Sequence, residues 1–157
     1  MGSKCPIPRE FGTDIWDGSA IGPKAVTGSQ MVDNARRRVT KTPIINIDIG
    51  AGTTADFVIT RQSTAITITA ARFVYTEATA AAGATAATIA LGTAAGGTQI
   101  ADATAIEQPK AVGAATAFTL KSGAVAANTP VIARLTGVVA TPIAGEGFVE
   151  IEYTVND

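Results

Sequence analysis

The side chains of this sequence that can do chemistry are mostly carboxylates: Asp48, Asp56, Glu77, Asp102, Glu107, Glu146, Glu150 and Glu152. A carboxylate acts as a general acid or base when a second one perturbs it, or as a hard oxygen ligand in a calcium loop. Nothing in the spacing of these residues pairs two of them for acid–base work, and none repeats the regular Asp/Asn spacing of a calcium loop. They read as solvated faces. The sequence has no histidine and one cysteine, Cys5. A Cys/His zinc site, a Ser-His-Asp triad, a Cys-His pair and an internal disulfide are therefore excluded, because each needs residues the chain does not own. No catalytic residue, no metal ligand and no cofactor is expected, and the chain does not read as an enzyme. Cys5 reads as an unpaired thiol, with an intermolecular crosslink as the alternative.

One stretch departs from this picture. Asn46 to Ile59, NIDIGAGTTADFVI, reads as strand, glycine turn, threonine pair, aspartate, strand. In that form it resembles a phosphate-binding loop of the actin-like ATPases, whose pattern is hydrophobic-D-hydrophobic-G-x-G-T-T-D. The resemblance implies phosphate binding through Gly50, Gly52, Thr53 and Thr54, with Asp48 near the metal. Those enzymes, however, are built from a pair of large α/β domains with a second phosphate loop and an adenosine pocket. This sequence offers one loop, too few residues and no helix pattern for the crossovers. Short glycine motifs also arise by chance. A hairpin accounts for the same residues: two strands joined by a turn in which Gly50 and Gly52 supply positive φ. An actin-like nucleotide-binding fragment is the reading placed last.

The elements around these residues follow from composition. A chain of 157 residues has the size of one domain with an appended arm, and such a chain buries roughly 70% of its unfolded surface. It is 46% hydrophobic but only 5% aromatic, so alanine, valine and isoleucine carry the apolar content and imply thin layers. The alanines are interleaved with threonine and glycine, which lower helix propensity, and threonine favours strands. They read as strand and loop residues. No apolar run approaches the ~20 residues needed to cross a bilayer. The opening MGSKCP lacks the profile of a signal peptide or a myristoylation site, and synthesis in a cytoplasm without an address label is expected.

Charge divides the chain in two. Residues 1–42 hold seven Lys/Arg against four acids, and residues 43–157 hold five against nine, giving +3 and −4 within a net −1. The first regime has glycines and prolines without a sustained period, and a few large apolar residues: Ile7, Phe11, Ile15 and Trp16. Such a segment docks on a surface other than its own core, with a disordered tail as the alternative. MVDNARRRV, which contains Arg36, Arg37 and Arg38, reads as a short helical turn or an exposed edge. Three arginines are too few and too local for nucleic-acid binding; an acidic protein surface suits them better.

From Pro43 onward short β patterns follow one another: PIINIDI, ADFVITR, STAITITAARFVYTEAT, ATIALGTA, GTQIADAT, ATAFTLKSG, TPVIARLTG and GFVEIEYTV. In AITITAARFVYTEA, Ile66, Ile68, Ala70, Arg72, Val74 and Thr76 share one face and Thr67, Thr69, Ala71, Phe73 and Tyr75 the other, so strict alternation leaves the core face open. GFVEIEYTV is cleaner, its acidic face of Glu150 and Glu152 turned to water or a partner. The tract ATAAAGATAATIA is the one place where helix competes. About eight strands with short turns, and no helix for crossovers, indicate an all-β fold. The expected form is an antiparallel β-sandwich or jelly-roll-like domain, residues 43–157, carrying an extended N-terminal arm, residues 1–42.

The stretch from Pro43 to Asp157, with its Ala/Thr/Gly-rich strands and its ending VAANTPVIARLTGVVATPIAGEGFVEIEYTV, resembles the head decoration (cement) proteins of tailed bacteriophages. The resemblance is one of style over about three quarters of the chain. It implies a structural virion protein on the capsid exterior, a β domain forming a homotrimer, and an arm docking on the major capsid protein through Ile7, Phe11, Ile15, Trp16, Arg36, Arg37 and Arg38. Neither nucleic acid nor membrane is an expected partner. A phage tail or fibre module and a cell-surface adhesin are the alternatives; a shaft would favour longer repeats, and an adhesin a secretion signal.

Overall fold

The computed structural model describes residues 36–79, 85–107, 109–138 and 144–156. Ten strands run through them: β1 (Arg37–Lys41), β2 (Ile45–Asn46), β3 (Thr54–Arg61), β4 (Ile66–Tyr75), β5 (Thr85–Gly92), β6 (Ala101–Glu107), β7 (Ala115–Ala117), β8 (Ala124–Val125), β9 (Pro130–Gly137) and β10 (Glu146–Val155). One sheet has the order β1-β10-β4-β7, with β2 also on β10 and β8 also on β4; the other has the order β3-β9-β5-β6. Every pairing is antiparallel. The fold is thus all-β, as expected, with two antiparallel sheets packed as a sandwich. The chain deals its strands between the two sheets, so that β5–β6 is the one pair of consecutive strands hydrogen-bonded to each other among those described.

One core lies between the sheets. It takes Ile66, Phe73, Tyr75, Val149 and Ile151 from the first and Ile89, Leu91, Ile106, Val131 and Leu135 from the second. Alanine serves here as a strand residue: Ala71, Ala87, Ala101 and Ala133 are buried. The described part of the polyalanine tract enters β5 and is strand, not helix; residues 80–84 lie outside the described residues. The few large rings are concentrated inside, with Phe73 and Tyr75 edge-to-face at 5.0 Å between ring centres. That geometry is favourable beyond the buried area alone.

Neither alternating face of β4 is the core face along its whole length. Ile66 and Ile68 are buried at one end and Ala71, Phe73 and Tyr75 at the other, with Thr69 and Ala70 exposed between them. The switch is a β-bulge: Glu152 pairs with Ala70 but Tyr153 pairs with Ile68. Thr69 is the extra residue, and an extra residue in a period-two strand moves everything beyond it to the opposite face. On β10 the expected alternation holds, with Val149, Ile151 and Tyr153 inside and Phe148, Glu150 and Glu152 outside.

Candidate interaction surface

The Asn46–Ile59 loop comes first, since it carried the one motif. Its flanking strands do not pair: β2 lies on β10 in one sheet and β3 on β9 in the other. The expected hairpin is therefore replaced by a sheet-to-sheet crossing. Asp48 N–H donates to Asn46 Oδ1 at 2.8 Å, Ile49 N–H to the Ile47 carbonyl at 2.9 Å, Gly52 N–H to the Gly137 carbonyl and Thr53 N–H to the Gly50 carbonyl, both at 3.0 Å. Donors that a phosphate would need are engaged in holding the crossing. Gly52 has φ +77°, while Gly50 does not lie in the left-handed region. A Cβ on Gly137 would strike the carbonyl oxygens of Gly50 and Ile49, the latter at 2.6 Å. The glycines thus serve a turn and a close backbone approach.

The arginine run lies at the other point of interest. Arg36 precedes β1, Arg37 and Arg38 lie on it, and Ile7, Phe11, Ile15 and Trp16 lie outside the described residues. The exposed-edge reading of MVDNARRRV therefore holds for its last residues: β1 is an edge strand zipped to β10 from Arg37↔Thr154 to Lys41↔Glu150. This strand stands on the N-terminal side of the boundary expected between residues 42 and 43. Thr42 closes the pairing. Its N–H donates to the Val149 carbonyl at 2.9 Å, and its Oγ1 accepts the Val149 N–H at 3.0 Å. Pro43 follows, without an N–H to extend the strand.

The register sets Arg37, Val39 and Lys41 on the outer face, flanking Thr154, Glu152 and Glu150. Arg37 pairs with Glu152 and Arg72 with Glu150, while the same Arg72 nitrogen stands 3.8 Å from Glu152. The Arg37 hydrogen bond, opposed in part by desolvation and aided by the charges of Arg37 and Arg72, holds the Glu152 carboxyl below the usual range. Lys41 Nζ lies 4.8 Å above the Phe148 ring, a cation–π contact. Val39 remains 59% exposed in the middle. Sequence reasoning placed β1 in the arm, naming Arg36, Arg37 and Arg38 as docking residues and leaving out Val39 and Lys41. The alternation R-V-T-K was a strand signal, but five residues are too short to show it without a partner.

The outer face of the second sheet carries an ion pair across β3 and β9. Arg134 grips Asp56 with both ends, Nε–Oδ1 at 2.8 Å and Nη2–Oδ2 at 2.6 Å. This pair lowers the Asp56 pKa, against some desolvation, and the backbone of Gly96 adds a further hydrogen bond. A group of three or more metal-ligating side chains is not found among the described residues.

No family model matches the chain, and no curated protein does. Among solved structures, a chain of the cyanophage Pam1 capsid asymmetric unit is similar, with a TM-score of 0.53 and 16% identity over 76% of this chain and 85% of that one. A chain from the Bacillus endospore appendages, described as disulfide-linked pili, aligns with a TM-score of 0.33 and 20% identity over 76% of this chain and 91% of that one. The first likeness is one of fold: the two-sheet β domain has a counterpart in a phage capsid. The second is too weak to bear on function.

Proposed function

We propose that this chain is a structural virion protein that decorates the outside of a phage capsid and stabilises it. The β domain forms a homotrimer on the shell, and residues 1–42 dock on the major capsid protein. The observation that carries this reading is the shared fold with a chain of a cyanophage capsid asymmetric unit. The two chains are comparable in length, the aligned part being most of each. The resemblance of the strands to decoration proteins points the same way. The arm contributes main-chain hydrogen bonds to a neighbouring sheet and seats Ile15 or Trp16 in pockets. Repetition over the shell makes weak single contacts sufficient.

The test has two parts. Light scattering gives the mass in solution, and wild type is cosedimented with empty heads of the host virus beside a variant lacking residues 2–30. A trimer is expected in both, with attachment lost only in the deletion. Trp16→Ala should weaken attachment more than a rim substitution does, as buried tryptophans are frequent hot spots. A strict monomer, or a deletion variant that decorates heads fully, overturns the proposal.

A further inference from the structure

Four edges end the two sheets among the described residues: β1 and the β7/β8 side of the first sheet, β3 and β6 of the second, with the start of β6 bridged from Ala101 to Leu120. Natural sheets blunt such edges with bulges or very short strands, because a long regular edge templates another strand. Three of the four follow that rule. The β3–β9 register breaks between Val58 and Thr60, the β5–β6 register breaks twice, and β7 and β8 have three and two residues. β1 has neither device and is guarded by charge alone, through Arg37, Arg38 and Lys41: its pairing with β10 is regular over all five residues, and its centre presents an exposed valine.

The ladder fixes which backbone groups face outward. Thr42 N–H bonds to Val149, so in the alternation of an antiparallel pair Thr40 and Arg38 also turn towards β10. The N–H and C=O groups of Arg37, Val39 and Lys41 then point to the open side. Those same residues carry the outer-face side chains, a cation on each side of a valine. Charge decides what fits. A second copy pairing antiparallel about Val39 would set Arg37 opposite Lys41, a like-charge pair that is unfavourable in a sheet. On the outer face of β1 and its flank, Arg37, Lys41 and Arg72 stand against Glu150 and Glu152 among the described residues, leaving one positive charge in excess there.

We infer that β1 is an acceptor edge for an extended acidic segment of another protein, which adds to the first sheet as a new strand. The segment reads acidic-x-aliphatic-x-acidic, its carboxylates beside Arg37 and Lys41 and its aliphatic side chain against Val39. Main-chain bonds supply adhesion and the charges supply selection. The site names the chemistry of the bound segment, whichever protein provides it, and does not rest on attachment to heads.

The probe is the synthetic peptide acetyl-Thr-Glu-Thr-Val-Thr-Glu-Thr-amide, titrated into the full-length protein and followed by amide NMR and hydrogen exchange. Saturable shifts on β1 and slowed exchange at the amides of Arg37, Val39 and Lys41 are expected, weakening as salt rises. A control peptide with lysine at both glutamate positions should not bind. Val39→Pro removes one outward N–H and leaves the bonds to β10 in place, since proline is tolerated on an open edge. Binding should fall about five- to tenfold or more, with the exchange of Thr40 and Ile151 unchanged. Should that variant disturb β1, Lys41→Glu gives a second reading, binding the lysine peptide in preference. Overturning results are no saturable binding, protection elsewhere, equal affinity for the two peptides, or β1 protection that grows with protein concentration alone, which would mean a second copy.

Discussion

Gly137 and Gly50 separate the two readings of the glycine motif at the level of single atoms. In a phosphate loop Gly50 would be the critical position; here a Cβ there meets only Thr53 Oγ1 at 4.0 Å, whereas one on Gly137 meets two carbonyl oxygens. Gly137→Ala should destabilise by about 1–3 kcal/mol, in the range of overpacking, and Gly50→Ala should be near neutral in a denaturant melt. The motif was legible as a turn; its use as a sheet-to-sheet crossing was not, because Gly137 stands far away in sequence. Two carboxylates give the acid side of the stability curve its shape. Asp56 and Glu152 both have pKa values lowered by their arginines, Arg134 and Arg37. A group with a depressed folded pKa contributes stability that is present above its unfolded value and lost as pH falls through the folded one. Tm should therefore be level near neutral pH and fall once pH drops through and below the ordinary carboxylate range. Asp56→Asn and Glu152→Gln should each flatten that fall without altering the neutral plateau by much more than the lost ion pair.

At the level of the strand, β4 explains both what the sequence disclosed and what it concealed. Its two ends are each perfectly alternating, and only the extra Thr69 puts them out of phase. A bulge has no residue signature of its own, so strict period-two reading left the core face undecided, while bulge-free β10 was read correctly. Removing Thr69 places Ile66, Ile68, Ala71, Phe73 and Tyr75 on a single face. A variant lacking Thr69 should fold, with a denaturant midpoint near that of wild type. Removing Thr67 instead turns Ile68 outward and should cost at least about 2 kcal/mol, the scale of taking one large aliphatic side chain out of the core. Equal losses in the two deletions would show that the bulge does not set the phase.

For the molecule as a whole, β1 decides where the β domain begins. A chain started at Arg36 keeps the strand and the Thr42–Val149 bonds; one started at Pro43 keeps only the two residues of β2 on that side of β10. The shorter chain should melt about 8 °C lower or more, two lost kcal/mol at ~4 °C each; coincident melts would place β1 outside the cooperative unit. β10 is also the last strand described and an interior one of its sheet, and Arg37 reaches Glu152 across 115 residues. At ~20 residues per second of synthesis, a newly made β1 waits on the order of six seconds for its partner. Throughout that interval both of its edges are bare, on ribosomes spaced closely along one message. Like charges on neighbouring copies of the strand repel each other, so its run of positive charge should disfavour pairing between nascent chains until β10 emerges. Replacing Arg37, Arg38 and Lys41 together by threonine should send the protein into inclusion bodies during expression, while the same variant refolds from dilute denaturant in soluble form.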